Sequence, residues 1–364
     1  MHLLRILLLP VSLLYGIVMF IRNKLYDIGF FPSVKFNVPV ISIGNLSMGG
    51  TGKTPHIEYL VRLLKSEFYI ATLSRGYGRK TEGFILADTQ STANEIGDEP
   101  LQFKKKFPKM PVAVDEERVR GIRNMLELFP SIQGILLDDA FQHRAVTPGL
   151  SILLTDFSKL YTDDHVVPTG TLREFASGVK RADVIIVTKC PHIPLAIERK
   201  GIISKLKTLP NQKVYFTTVN YGEFIPLQNK ITPPFSKAYY FEKKYSILLF
   251  SGIANVQPLV QYLKENTKNV HILNFPDHHP YTPNDLKNIE SAFNDIHTAN
   301  KIIVTTEKDS MRLKDKNISG SLSHLPIFYI PIEIKFCDQG EKDFSNQILE
   351  YVRSNQKNYN VYTK

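Results

Sequence analysis

This sequence predicts an α/β chain with a mostly parallel sheet and helices on both faces. Three observations carry that reading. Short runs rich in Ile, Leu and Val recur along the chain with amphipathic stretches between them, and such runs mark strands buried on both faces. A glycine-rich loop follows the first run and precedes a helical pattern. The N-terminal residues instead form one long apolar segment with Arg5 as its sole charge up to Ile21.

That segment comes first. Its uncharged run, residues 6–21, is 16 residues long. As a helix it would measure about 24 Å, short of the roughly 30 Å hydrocarbon core of a bilayer. Pro10 and Gly16 weaken a straight span, and Met19-Phe20-Ile21-Arg22 lacks the small residues of a signal-peptide cleavage site. A helix lying in the membrane fits better than a span or a buried core helix. Arg5, Arg22, Lys24 and Lys35 against Asp27 leave three positive charges in residues 1–37, which suits an anionic cytoplasmic leaflet.

Candidate strands follow at 38–43, 69–73, 112–114, 134–137, 151–154 and 184–187, with helical patterns at 55–65 and 116–129. Residues 213–227 and 237–244 are rich in Tyr, Phe and Thr, with Asn229, Pro233 and Pro234 between them; they predict a two-stranded β linker. Strands at 246–250, 270–274, 301–305 and 327–331 then alternate with helices at 256–265, 283–294 and 344–353. The expected division is a membrane-associated helix (1–30), a three-layer α/β/α core (31–211), the β linker (212–244) and a second, smaller α/β domain (245–364). The length of 364 residues fits this division, at roughly 150 residues per domain.

Composition narrows the function. The hydrophobic and charged fractions are ordinary, which excludes disorder, collagen and coiled coil as the main architecture. Lys plus Arg is 45 and Asp plus Glu 35, a net charge of +10, which favours anionic partners. No basic-aromatic platform for nucleic acid is present. Cys190 and Cys337 form neither a disulfide framework nor a zinc site and read as packing residues in a reducing compartment.

The sharpest signal is Gly49-Gly50-Thr51-Gly52-Lys53-Thr54 between the strand at 38–43 and the helix at 55–65. This is the setting of a phosphate-binding P-loop: backbone N–H groups curl around phosphate oxygens and the helix N-terminus adds its dipole. Lys53 reaches the β and γ phosphates, and Thr54 offers a hydroxyl to Mg²⁺. Ser47 stands where the usual spacing has a first glycine, yet the turn keeps three glycines. The partner acids are Asp138 and Asp139, which emerge from the apolar strand 134–137 at the sheet edge where α/β folds bind ligands.

A GTPase is disfavoured, because Val187-Thr188-Lys189-Cys190 is followed by Pro191 where guanine recognition wants Asp. A kinase needs a base and cations for developing charge. Asp98 in Gly97-Asp98-Glu99-Pro100 is a candidate base or a helix cap. Arg75 and Arg79 share the loop Ser74-Arg75-Gly76-Tyr77-Gly78-Arg79, Arg118 opens a helix, and Arg173 and Glu174 end Thr169-Gly170-Thr171-Leu172. Phe275-Pro276-Asp277-His278-His279 offers an imidazole that tunes a carboxylate. No further Cys or His cluster completes a metal site there.

Together these segments, with Leu137-Asp138-Asp139-Ala140-Phe141-Gln142-His143-Arg144, resemble the tetraacyldisaccharide 4'-kinases of lipid A biosynthesis. They run in family order from residue 40 to 310. The one departure is Thr171, where a proline is expected nearby. The resemblance implies a P-loop kinase with ATP and Mg²⁺ that phosphorylates the 4'-hydroxyl of a tetraacylated glucosamine disaccharide 1-phosphate. It also implies an enzyme held at the cytoplasmic face of the inner membrane, with the lipid and the anionic membrane surface as partners and no obligate protein partner. It assigns Asp98 as base with a histidine of the Asp277-His278-His279 segment as its partner, and of the two His278 is chosen over His279. Lys53 and Arg173 complete the catalytic set, and Gly49 through Thr54 bind the nucleotide. Thr54, Asp138 and Asp139 surround the metal. Arg75, Arg79, Arg118, Gln142, His143 and Glu174 are the candidate substrate contacts. The competing reading is a membrane-attached P-loop NTPase whose hydrolysis switches a partner.

Overall fold

The computed structural model describes residues 2–227, 235–313 and 324–362, with side chains described from 8 to 355 of these. Asn229, Pro233, Pro234 and the side chain of Arg5 lie outside the described part. The chain opens with α1 (His2–Asp27), one helix that runs through both Pro10 and Gly16. Next come β1 (Val40–Asn45), α2 (Lys53–Leu64), β2 (Ile70–Ser74), β3 (Ile85–Leu86), α3 (Ala93–Ile96), α4 (Asp98–Lys106), β4 (Val112–Val114) and α5 (Arg118–Leu128). They are followed by β5 (Gly134–Asp138), β6 (Leu150–Asp156), β7 (Val184–Thr188), α6 (Ala196–Leu206) and β8 (Lys213–Tyr221). The second unit holds β9 (Ile225–Pro226), α7 (Lys237–Glu242), β10 (Ser246–Ser251), α8 (Gln257–Asn266), β11 (Val270–Asn274), α9 (Pro283–Asn294), β12 (Lys301–Thr306), α10 (Glu307–Leu313) and β13 (Ile327–Ile330). The chain then returns through β14 (Ile332–Phe336) and α11 (Gly340–Tyr362).

The first sheet has nine strands in the order β14-β8-β7-β6-β1-β5-β2-β4-β3, and the second has five in the order β11-β10-β12-β13-β9. From β8 to β4 the first sheet is parallel. Ile43 lies opposite Asp138 of β5 and Ile152 of β6. The three adjacent strands run parallel and end on the same side of the sheet, so the loop after β1 and Asp139 emerge at one edge.

Each sheet is covered on both faces. Ile41 and Ile43 of β1 pack with Ile57, Leu60 and Leu64 of α2 on one face, while Val40, Leu73 and Leu137 meet Ile122 and Met125 of α5 on the other. The helix residues recur at three and four positions, so one stripe is buried. The second sheet repeats the plan: Phe250 and Ile303 face Ile289 and Phe293 of α9, and Leu249 and Val304 face Val260 and Leu263 of α8. Cys190 and Cys337 are buried free thiols in one apolar cluster.

Two strands do connect the sheets, but the second is not the expected one. β8 pairs antiparallel with β14, and Gly222 N–H donates to the Pro331 carbonyl at 2.9 Å where both strands cross between sheets. Within the expected strand 237–244 lies the short helix α7 (Lys237–Glu242) instead. Its aromatic rings do not alternate between faces. Tyr240 is buried against Phe224, Phe328 and Tyr245, so tertiary packing overrides β-propensity. The expected strand 327–331 ends one residue earlier, at Ile330, and the chain changes sheets at Pro331. The last helix, expected in the second domain, packs on the first: Phe344, Ile348 and Val352 of α11 share the core of Ile41 and Leu60.

Candidate active site

The loop between β1 and α2 is held from several sides. Gly49 and Gly52 adopt φ of 110° and 86°, the left-handed region in which side chains are strained. Asn45 donates to the Thr51 hydroxyl at 2.9 Å, and the Thr188 hydroxyl donates to the Thr51 carbonyl at 2.9 Å. The Lys189 ammonium donates to the Gly50 carbonyl and to Asp156. Thr188 and Lys189, which sequence reasoning weighed for guanine recognition, thus support the phosphate loop from behind. Burial pushes His56 down to about 4. Neutral, it donates Nδ1–H to the Gly52 carbonyl at 2.7 Å and accepts from the Thr217 hydroxyl at 3.1 Å. At the start of α2 the amides of Lys53 and Thr54 have no partner within the helix, as helix geometry dictates.

The two acids at the end of β5 differ. Asp138 is buried; among the described residues its carboxylate accepts a 3.4 Å bond from the Ser74 hydroxyl and leaves Oδ1 without a partner. Burial, then the Asp139 charge, pushes its carboxyl up to about 7. Burial works in the same direction on Asp139, but Lys53 and Arg173 overcome it and hold that carboxyl below its ordinary range. Arg173 grips Asp139 with two bonds of 2.9 and 3.1 Å, and Lys53 Nζ lies 3.5 Å from Asp139 Oδ2. Among the described residues no cluster of three His, Cys, Asp or Glu is arranged to hold a metal ion.

The other candidate contacts divide. Arg118 is buried and donates to the carbonyls of Asp115 at 3.0 Å and Asp138 at 3.3 Å. Burial pushes it down to about 10, so it stays cationic. Arg75 is exposed at the end of β2. Arg79 does not reach outward: it pairs with Glu116 and donates to the Gly83 carbonyl at 2.8 Å, bracing its own turn. Gln142 donates to the Asn45 carbonyl at 2.9 Å and to Glu174 at 3.0 Å. Glu174 also binds Arg181 at 2.7 Å and Asn23 of α1 at 2.6 Å. Burial, then the charges of Arg118, Arg22 and Arg75, pushes His143 down to about 4.

Asp98 opens α4 in the first unit and faces the second. His278 Nδ1 lies 3.1 Å from Asp98 Oδ2, and the Arg312 guanidinium binds both carboxylate oxygens. Burial alone would raise Asp98; the bonds from His278 and Arg312 win and hold it at about 2. His278 sits at φ 58° on the turn after β11, its N–H bonded to the Gly252 carbonyl at 3.1 Å. His279 points elsewhere: it pairs with Asp285 at 3.0 Å and stacks on Phe275. Glu99, next to Asp98, lies near enough to Asp138 to contribute to its rise.

The profile of the family described as Tetraacyldisaccharide-1-P 4'-kinase matches residues 4–353. The chain belongs to that family. Among curated relatives, the tetraacyldisaccharide 4'-kinase of Bacteroides thetaiotaomicron is 45% identical over 359 residues, covering 96% of this chain and 93% of that protein. The protein of the same name from Flavobacterium johnsoniae is 45% identical over 356 residues, covering 98% of this chain and 99% of its own. Among solved structures, the "apo" form of LpxK from Aquifex aeolicus in complex with ATP superposes with a TM-score of 0.72 at 28% identity, covering 96% of this chain and 99% of that one.

For a kinase of this family the structure brings Lys53, Asp138, Asp139 and Arg173 to one sheet edge and Asp98 against His278. Sequence reasoning missed Arg312, Lys308 and Asn23. Lys308 and Arg312 stand one turn apart directly after a strand, and that spacing was the one available signal. Asn23 carried none.

Proposed function

We propose that this chain transfers the γ-phosphoryl group of ATP to the 4'-hydroxyl of a tetraacylated glucosamine disaccharide 1-phosphate, at the cytoplasmic face of the inner membrane. One observation carries the reading beyond family membership. A buried carboxylate from one unit, Asp98, meets an imidazole from the other, His278, at 3.1 Å, while Glu99 acts on Asp138 beside the phosphate loop. A switch NTPase has no need of such a pair.

In the reaction the 4'-oxygen attacks the γ-phosphorus, the bond to the β–γ bridging oxygen breaks, and the hydroxyl proton passes to Asp98. A carboxylate held at about 2 is a weak base. Phosphoryl transfer through a loose transition state asks little of the base until late, so Asp98 chiefly orients the hydroxyl. Lys53 and the start of α2 bind the β and γ phosphates, and Arg173 offsets charge on the transferring group. The residues fit Mg²⁺: Asp138 holds a buried oxygen with no partner, and Thr54 stands in the first turn of α2. Asp139, expected beside the metal, is already engaged by Lys53 and Arg173, which favours Asp138 as the ligand. When bound, the cation neutralises phosphate charge.

The membrane reading rests on α1. Residues Leu8–Asp27 are long and apolar enough to cross a bilayer by length and composition, and Leu9, Leu13, Leu14, Ile17, Val18 and Ile21 are exposed. Label transfer from γ-labelled ATP to acylated disaccharide 1-phosphate is the deciding assay. Labelled lipid supports the reading; nucleotide hydrolysis indifferent to the lipid overturns it.

A further inference from the structure

We propose that Lys308 and Arg312, one turn apart on α10, are positioning residues that fix the protonation pattern of the Asp98–His278 pair and leave a single carboxylate oxygen, Asp98 Oδ1, open to the acceptor hydroxyl. This rests on the assignment of Asp98 as base.

The hydrogen bonds determine the pattern. Lys308 Nζ lies 2.9 Å from His278 Nε2. An ammonium only donates, so Nε2 must accept and the ring proton must sit on Nδ1. Nδ1–H then points at Asp98 Oδ2, 3.1 Å away. Arg312 Nη2 is 3.2 Å from the same Nδ1; neither can accept, and both converge on Oδ2. That oxygen receives Nδ1–H, Nη2–H and a share of Nε–H, whereas among the described residues Oδ1 receives Nε–H alone, at 3.1 Å. Each carboxylate oxygen offers about two acceptor sites, so Oδ2 is filled and one site of Oδ1 remains.

The charged surroundings come from three elements. From α4, Glu99 pairs with Lys308 at 2.9 Å. From α10 itself, Asp309 lies 3.4 Å from Arg312 Nη1. From the turn after β11, Asp277 lies 3.9 Å from His278 Nε2, while the ring of Tyr77 meets the imidazole edge-on at 5.3 Å. Lys308 is thus tied to Glu99 and Arg312 to Asp309, and both cations are fixed before substrate arrives. Because α10 belongs to the second unit and Asp98 to the first, the base acquires this pattern only when the units are docked.

The test compares Arg312→Gln, Arg312→Lys, Lys308→Met and Lys308→Arg in the full chain, with ATP and acylated disaccharide 1-phosphate in mixed micelles, over pH 5 to 9. Arg312→Gln is expected to lower kcat roughly 10–100-fold, within the range of general-base contributions, with KM for ATP little changed. It also raises the acid limb of the pH–rate profile above the parent's, because a buried carboxyl deprived of its guanidinium rises. Arg312→Lys moves that limb back toward the parent's. Lys308→Met lowers kcat and moves the limb in the same direction but less than Arg312→Gln, because Lys308 acts on Asp98 by charge alone while Arg312 also donates to it, and Lys308→Arg restores the rate. An acid limb in Arg312→Gln that coincides with the parent's overturns the proposal. Should that variant not fold, an unchanged kcat in Lys308→Met overturns it instead. Asp98→Asn separates the two claims: if it keeps full transfer, the base assignment itself has failed; if it is inactive while the Arg312→Gln limb stays put, only the positioning role has.

Discussion

Asn23 donates to Glu174 Oε2 across 2.6 Å, joining the N-terminal helix to the residue beside Arg173. The bond is one of several. Arg22 donates to the Gln142 carbonyl at 3.1 Å, and the Tyr15 hydroxyl donates to the Arg173 carbonyl at 3.1 Å. Ser12 and Thr169 share a hydrogen bond. The polar chain runs Asn23, Glu174, Gln142, Asn45 and so reaches the phosphate loop. The helix is therefore a wall of the site as well as an apolar segment.

Glu174 is 2% exposed and accepts from three side chains. Glu174→Ala leaves the half-buried Arg181 guanidinium and two further donors without their acceptor, which costs about 2–3 kcal/mol. Asn23→Ala removes one donor to a charged acceptor and costs about 1–2 kcal/mol. Urea unfolding in detergent checks both; equal losses from the two variants would contradict the ordering.

On the opposite face of α1, Leu13 and Ile17 are 58% and 43% exposed and stand one turn apart. Leu13→Glu with Ile17→Glu places two charges on that face without touching Ser12, Tyr15, Arg22 or Asn23. Sedimentation with anionic vesicles is expected to fall at least tenfold, since each buried large side chain contributes about 1.5–3 kcal/mol to membrane binding. Phosphate transfer to a water-soluble acceptor analogue should persist. Undiminished sedimentation would mean that α1 does not carry the membrane contact.

How much of this was legible in the sequence depended on range. The phosphate loop and Asp138–Asp139 are local patterns, each set by a strand end, and they stood out. The pairing of Asp98 with His278 spans 180 positions and came from family resemblance. Arg312 lies 214 positions from Asp98, with only a helical spacing to mark it, and it was missed. Arg79 looked like a flexible guanidinium beside glycines; its partner Glu116 comes from a neighbouring segment that no local pattern identifies. α7 was misread because aromatic residues that fill a core from a helix have the same composition as a strand.

Gly44 lies near the end of β1, where a Cβ would meet Phe141 Cβ at 2.6 Å and the Phe141 backbone nitrogen at 2.9 Å. Both atoms are fixed by the backbone of Phe141, so no rotation of the ring relieves the contact. Gly44→Ala should therefore force β1 away from the Asp138–Asp139 turn, at about 1–3 kcal/mol for overpacking, and weaken ATP binding more than tenfold. Calorimetric titration with ATP checks this. Parent-like affinity would show that the turn yields without moving the loop.

His143 gives a pH dependence with a defined sign. Its ordinary value of 6.5 falls to about 4 in the folded chain, through burial first and then Arg118, Arg22 and Arg75. Between those values the unfolded chain binds a proton that the folded one refuses, so stability falls as pH drops from about 6.5 toward 4. The side chain is partly exposed, so solvent screening trims the effect to roughly 1–2 kcal/mol. His143→Gln should leave stability near pH 8 little changed and flatten the decline between pH 6.5 and 4, read as urea midpoints across that range. Arg75→Gln removes one of the three opposing cations and should flatten it in part. An acid decline as steep in His143→Gln as in the parent would assign the slope to another group.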